Sequence, residues 1–156
     1  MELSEEGMEL IKKSEGFRER VYLDVEGYPT IGYGHRLVHP ETFPNGINES
    51  QGTSLLYNDI CDAKRAVARL VKVQLTQGQF DALVDFVFNL GQLRLAESTL
   101  LRDLNSGRIA EAGEQLLRWD HAGTKENAGL KTRREAELSL WNNSESIKEP
   151  AQATAA

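Results

Sequence analysis

The chain has 156 residues, of which 40% are hydrophobic and 27% are charged, and its 18 basic and 24 acidic residues give a net charge of −6. A chain of this length can form one domain that buries its own core without a metal or a disulfide. The acidic balance argues against a general nucleic-acid binder, and the single cysteine, Cys61, excludes an internal disulfide and fits synthesis in a reducing compartment.

The first predicted element is an amphipathic helix. Ser4 is a typical N-cap, and Glu5 and Glu6 follow it in the first turn, where the helix dipole favours acidic side chains. Gly16 is typical of the residue that ends a helix. This pattern places Glu15 at the C-terminal end of the helix.

A β-hairpin is predicted next, with strands over 20–24 and 30–35 and a turn at 26–27. Strand alternation assigns Ile31, Tyr33 and His35 to one face and Thr30, Gly32 and Gly34 to the other. The second face carries almost no side chain. Its glycines indicate either the close approach of a ligand or backbone, or a bulged or twisted hairpin.

The rest of the chain is predicted to be helical after a polar connection over 39–52. Apolar residues recur at helical spacing over 53–73, which is long enough to bridge two lobes. Further helices are expected over 77–90, from a cap at Ser98, over 109–119 and over 130–141.

Three polar residues of the N-terminal part are candidates for chemistry. Glu15 ends a helix, Asp24 lies at the end of a strand, and Thr30 lies on the return strand, so the three can converge on one cleft. Hydrolysis of a glycoside uses two carboxyl groups in different environments, one protonated and one ionised. Acidic residues nine apart are common, so the spacing by itself favours ordinary surface acids.

The residues around these three carry a family resemblance. Ser14-Glu15-Gly16-Phe17-Arg18, Tyr22-Leu23-Asp24 and the stretch from Gly27 to His35 closely resemble the active-site segment of phage-type lysozymes, glycoside hydrolase family 24. The family pattern of Glu, eight residues, Asp, five residues and Thr is matched without a gap. The resemblance extends over about residues 8–142, through motifs at 79–83, 88–91, 98–101, 118–119 and 129–137.

The resemblance implies an α+β, lysozyme-like fold, with a small N-terminal β-hairpin lobe and a larger helical C-terminal lobe joined by a long helix. A single domain is then expected over 1–145. Its first helix and β lobe would occupy about 1–52, its connecting helix about 53–73 and its helical lobe about 74–145. Residues 146–156 are expected to form a flexible tail.

The same resemblance implies hydrolysis of the β-1,4 bond between N-acetylmuramic acid and N-acetylglucosamine in peptidoglycan, with inversion and without a cofactor. By carry-over, Glu15 is the general acid, Asp24 is the base or electrostatic partner, and Thr30 holds the attacking water. Inversion requires roughly 6.5–9.5 Å between the two carboxyl groups, to admit that water.

Further residues are candidates for supporting roles. Arg133 or Arg134 is expected to pair with Glu15, the alternatives being a solvated helix face or a contact between this last helix and a membrane. Asn89 is expected to contact sugar at the cleft wall, or to be an ordinary polar residue at a helix end. Gly32 and His35 are assigned to the same site. His35 is interpreted as a structural histidine beneath the hairpin, because the three histidines lack metal-ligand spacing.

Partners and location follow from the resemblance and from the absence of a visible signal or transmembrane run. A monomer is expected that binds peptidoglycan, does not bind nucleic acid and does not insert stably into membranes. It would stay in the host cytoplasm until a separate hole-forming protein releases it to the wall. The alternatives are a lytic transglycosylase, an inactive peptidoglycan-binding module and a DNA-binding helical domain. Asp24 and Thr30 favour the hydrolase.

Overall fold

The computed structural model describes residues 1–143, so the predicted tail lies outside the described residues. The described part is mostly helical and carries two small antiparallel sheets. The elements in chain order are α1 (Glu5–Glu15), β1 (Arg18–Leu23), β2 (Pro29–Gly32), β3 (His35–Arg36), α2 (Glu49–Leu70), α3 (Gln77–Leu90), α4 (Gln92–Glu97), α5 (Thr99–Asn105), α6 (Ile109–Gln115), a 3₁₀ turn (Leu116–Arg118), β4 (His121–Ala122), β5 (Lys125–Glu126) and α7 (Ala128–Asn142).

Helix α1 has the predicted ends. The Ser4 hydroxyl accepts a hydrogen bond from the Gly7 amide, and Gly16 terminates the helix with a φ of 69°. The Ser4 amide also donates to Asp81 Oδ1 of α3 at 3.0 Å. These contacts fix α1 against α3 and leave Glu15 as the last helical residue.

The N-terminal sheet has the strand order β1-β2-β3, all antiparallel. The prediction of one return strand over 30–35 is wrong. Gly32 and Gly34 adopt positive φ angles of 65° and 73°, which turn the chain between β2 and β3. The two-face assignment therefore fails beyond Gly32. The alternative of an irregular hairpin is confirmed, because the register of β1 against β2 shifts between Arg18 and Tyr22.

The predicted bounds of the helix over 53–73 are also wrong. Helix α2 begins four residues earlier, because Asn48 and Gln51 form a reciprocal capping box within the segment predicted as a polar connection. It ends at Leu70 rather than at residue 73. Two short elements were not predicted. They are α4, which follows the positive-φ Gly91, and the hairpin β4–β5.

Helix α3 is the centre of the helical part. Every residue from Gly78 to Val87 is buried, and α3 packs against α1, α2, α4 and α7. Trp141 of α7 is buried in the same core, and Trp119 packs edge-on against Phe86 at 5.4 Å between ring centroids. The packing brings α1, α3 and α7 into mutual contact.

Among residues 1–143, no helix combines the length and the apolar character needed to cross a membrane.

Candidate active site

A cleft of about 970 Å³ lies between the N-terminal sheet and the helices. Five of the eight predicted site residues line it, and they are Glu15, Asp24, Thr30, His35 and Asn89. Gly32, Arg133 and Arg134 are not part of its lining. The cleft therefore brings together the two carboxylates and the hydroxyl that the sequence placed on three different elements.

Glu15 presents its carboxylate to this cleft from the end of α1. Its side chain is 22% exposed, and its Oε1 accepts a hydrogen bond of 2.8 Å from Arg133 Nη1. Of the two arginines predicted as partners, Arg133 is therefore the one that pairs with Glu15. The Oε2 atom lies on the side of Gly34, where a Cβ built on that glycine would be 2.8 Å away. The Glu15 carboxylate therefore lies between the Arg133 guanidinium and the backbone of Gly34.

Gly34 is a site residue whose specific role the sequence analysis did not identify. It has a φ of 73°, lines the cleft, and leaves the space that the Glu15 carboxylate occupies. Gly32 has a similar φ but faces Ile47 and Gly52 instead. The close-approach interpretation of the glycines thus applies to Gly34, although the approaching group is a side chain of the protein.

Arg133 is buried, so the alternative of a solvated helix face is wrong. Its side chain is 7% exposed, and its Nε and Nη2 donate to the two oxygens of Asp85 at 2.9 and 2.8 Å. Burial opposes the charge of Arg133, but the Asp85 hydrogen bonds and the charges of Asp85 and Glu15 raise its pKa above the usual range. Asp85 of α3 was not foreseen, because an acidic residue within a hydrophobic helix has no recognisable partner in the sequence.

Arg134 does not bind Glu15. It is fully buried, and its Nη2 donates to Asn89 Oδ1 at 2.7 Å while its guanidinium lies over the Phe86 ring. Neither arginine is available for contact with a membrane. The Asn89 amide is oriented by this contact, since its oxygen faces Arg134 and its NH₂ group is left for the cleft.

Asp24 is built into the tip of the first hairpin. Its Oδ1 accepts from the amides of Glu26 and Tyr28, both at 2.9 Å, and its Oδ2 accepts from Arg36 Nε at 3.1 Å. The Tyr28 amide lowers the pKa of Asp24 most, desolvation opposes it, and the Glu26 amide and Arg36 add to the lowering, so that the pKa lies below its usual value. Asp24 is thus ionised at neutral pH. Arg36 is a second residue that the sequence analysis missed.

Thr30 is buried at the inner edge of the cleft. Its hydroxyl donates to the Tyr28 carbonyl at 2.8 Å, so the hydroxyl oxygen keeps its lone pairs for another donor. Water is a donor of this kind.

His35 lies between two carboxylates. Its Nδ1 is 2.8 Å from Asp59 Oδ2 of α2, and its Nε2 is 2.9 Å from Glu41 Oε1 in the loop after β3. Burial lowers the pKa of His35, but the hydrogen bonds and charges of Glu41 and Asp59 raise it overall. Burial raises the pKa of Asp59 despite the facing histidine. Within residues 1–143, no group of three or more His, Cys, Asp or Glu side chains is arranged to hold a metal ion.

Comparisons with known proteins agree with this geometry. The family model described as phage lysozyme matches residues 12–137. The endolysin of Bacillus phage B103 is 43% identical over 150 residues, which are 94% of this chain but 56% of that protein. The chain thus spans a little over half of that relative. The endolysin of Salmonella phage P22 is 37% identical over 144 residues, 90% of this chain and 98% of that protein.

A solved structure shares the fold. The muramidase domain of SpmX from Asticaccaulis excentricus has a TM-score of 0.83 and 36% identity, and the match covers 90% of this chain and 97% of that one. The predicted α+β, lysozyme-like architecture is confirmed.

Proposed function

This chain belongs to the phage lysozyme family, and on that premise we propose that it is a muramidase of the endolysin type. Its substrate is the glycan of bacterial peptidoglycan, and it hydrolyses the β-1,4 bond between N-acetylmuramic acid and N-acetylglucosamine. Two relatives named above are endolysins and a structural neighbour is a muramidase domain, which supports the class of reaction.

The observation that carries the proposal is the pair of carboxylates in one cleft. Glu15 makes one charged hydrogen bond, to Arg133, whereas Asp24 accepts two backbone amides and Arg36. Three donors hold Asp24 ionised, as its lowered pKa indicates. Two carboxyl groups in such different environments suit the two roles of glycoside hydrolysis.

In the proposed mechanism, Glu15 gives its proton to the leaving glycosidic oxygen. Asp24 stabilises the positive charge that develops on the sugar and takes a proton from the attacking water, whose oxygen bonds to the anomeric carbon as the glycosidic bond breaks. Thr30 accepts a hydrogen bond from that water, and the Asn89 amide donates to the sugar. Arg133 is a positioning residue that holds Glu15 in place.

Attack of water from the face opposite the leaving group would invert the anomeric configuration, and we include inversion in the proposal. Proton NMR of the first products checks it. The α-anomer is expected to form first, and early β-anomer would exclude inversion.

The experiment that tests the function is Glu15→Gln, assayed by the clearing of purified peptidoglycan. Glutamine keeps the shape of the side chain but has no acidic proton, so clearing is expected to be lost while circular dichroism stays unchanged. Glu9→Gln, at an exposed position on the same helix, is the matched control and should clear normally. An active Glu15→Gln variant would refute the assignment of the acid.

On the same premise, we propose that the protein acts as a monomer and reaches the wall through holes made by a separate protein. Expression in a bacterial cytoplasm is then expected to be harmless until the inner membrane is permeabilised. Rapid lysis on chloroform addition would support this dependence, and lysis without it would contradict it.

A further inference from the structure

A cluster of buried charges lies behind the Glu15 carboxylate and joins α3 to α7. Its members are Asp85, Arg133, Arg134 and Glu137, and all four are buried. Arg133 connects the cluster to the cleft. All three of its guanidinium nitrogens donate to carboxylates, one to Glu15 and two to Asp85.

Asp85 offsets the charge that Glu15 faces. An arginine beside a carboxyl group favours the ionised carboxylate, which is the wrong form for a proton donor. The fully buried Asp85 forms a bidentate pair with Arg133 and so neutralises that arginine while fixing its orientation. Without Asp85, Glu15 would face an uncompensated buried cation.

Glu137 is the acidic group of the cluster with the poorest surroundings for a charge. Both Glu137 oxygens are buried without a hydrogen-bond donor, although Arg134 Nη2 lies 2.9 Å from one of them. A carboxylate without donors is costly to bury, so a proton on Glu137 is the favoured state.

The pKa values of Glu137 and Asp85 shift in opposite directions, which agrees with a proton on Glu137. Two carboxyl groups can share a hydrogen bond only when one of them is protonated. Burial, and then the hydrogen bond to Asp85, raise the pKa of Glu137 well above its ordinary value. Burial opposes the ionised form of Asp85, but the hydrogen bonds from Glu137 and Arg133 lower its pKa.

We propose that Asp85 is a positioning residue for the proton donor Glu15, that it acts through Arg133, and that Glu137 is its neutral, proton-bearing partner. The inference rests on the proposed function of Glu15. The charge of Glu15 acts on Tyr22 of β1, and Asp24 of the first hairpin lines the same cleft as Glu15. Both are unchanged in the variants below.

The first test is Asp85→Asn, followed through the pH dependence of peptidoglycan clearing and the ¹³C titration of the Glu15 carboxyl. Asparagine keeps an oxygen for Arg133 but removes the charge. The upper pH limb of activity and the Glu15 titration midpoint are both expected to move to lower pH by about 1 unit. A purely structural role would lower the rate equally at every pH and leave the midpoint in place, which would overturn the proposal. Glu135→Gln removes a charge from an exposed position of α7 and should change neither readout.

The second test is Glu137→Gln, which still tests the proposal if Asp85→Asn does not fold. The glutamine amide replaces the proposed O–H donor to Asp85, so a folded protein with an unshifted Glu15 midpoint is expected. In the wild-type protein, the ¹³C signal of Glu137 should stay that of a protonated acid from about pH 4 to 8, where an ordinary glutamate titrates. An ionised Glu137 in this range, or a shifted Glu15 midpoint in the variant, would refute the inference.

The titration readouts do not depend on catalysis. If Glu15→Gln remains active, the proposed function fails, while the titrations of Glu15 and Glu137 still test the proposed roles of Asp85 and Glu137. If Glu15→Gln is inactive but the Asp85→Asn midpoint is unshifted, the inference fails alone.

Discussion

Gly34→Ala tests how closely Glu15, the proposed proton donor, is fitted to the backbone. The alanine Cβ would lie 2.8 Å from Glu15 Oε2, and ordinary contacts begin at 3.4 Å, so the carboxylate must move by about 0.6 Å. A misplacement approaching 1 Å costs up to about 10²-fold in rate, so a loss of roughly 10- to 100-fold is expected. Because alanine is strained at the positive φ of 73°, the substitution also lowers the free energy of unfolding by about 1–2 kcal/mol.

Gly107→Ala is the matched control for this variant. Gly107 has a φ of 83°, but nothing lies within 4 Å of its Cβ position, so it carries the backbone strain without the clash. Both variants should lose roughly 2–8 °C in Tm, measured by differential scanning calorimetry. Peptidoglycan clearing at 25 °C should fall only in Gly34→Ala. Equal activity of the two folded variants would refute the claim that Gly34 makes room for Glu15.

Three further predictions concern the groups around the acid. Thr30→Val should reduce the rate of clearing by roughly 10²-fold, because it removes the hydroxyl proposed to hold water. Thr30→Ser keeps a hydroxyl and should stay within a few-fold of the wild-type rate. Equal rates for the two variants would contradict the proposed role of the hydroxyl. Asp24→Asn keeps an oxygen for the two turn amides but lacks the negative charge. The rate of clearing is expected to fall by at least about 10²-fold while Tm stays nearly unchanged. An active variant would show that another residue has the electrostatic role. Because the folded-state pKa of His35 lies above 6.5, its contribution to stability is complete below about pH 6.5 and is lost as the pH rises through the folded-state pKa. The free energy of unfolding, measured with urea at several pH values, should show this decline in the wild type and in an exposed control, His39→Gln. The decline should be absent in His35→Gln. An unchanged dependence on pH in His35→Gln would exclude this histidine as the source of the decline.

The elements that position the acid were predictable from local signals. The cap at Ser4 and the terminating Gly16 define α1, and the alternation and turn of the first hairpin indicate where Asp24 and Thr30 lie. Family motifs then predicted one site for the three residues, and all three line the same cleft. These signals are short-range, so a single sequence carries them.

The residues behind the acid were less accessible, since their partners are distant in the chain. Arg133 and Asp85 are 48 residues apart, and Arg133 and Glu15 are 118 apart. An arginine pair at the start of a helix is typical of a solvated face, and only the packing of α7 on α3 buries it. Similarly, Gly34 could be recognised as unusual, but the side chain that approaches it comes from α1.

Product analysis of digested peptidoglycan tests the central claim most directly. Fragments released by the wild-type protein should be reduced with borohydride and examined by mass spectrometry. Hydrolysis by Glu15 with water predicts N-acetylmuramic acid at a free reducing end, which takes up hydrogen on reduction. A 1,6-anhydro end, which lacks one water and resists reduction, would contradict a hydrolase and indicate a lytic transglycosylase.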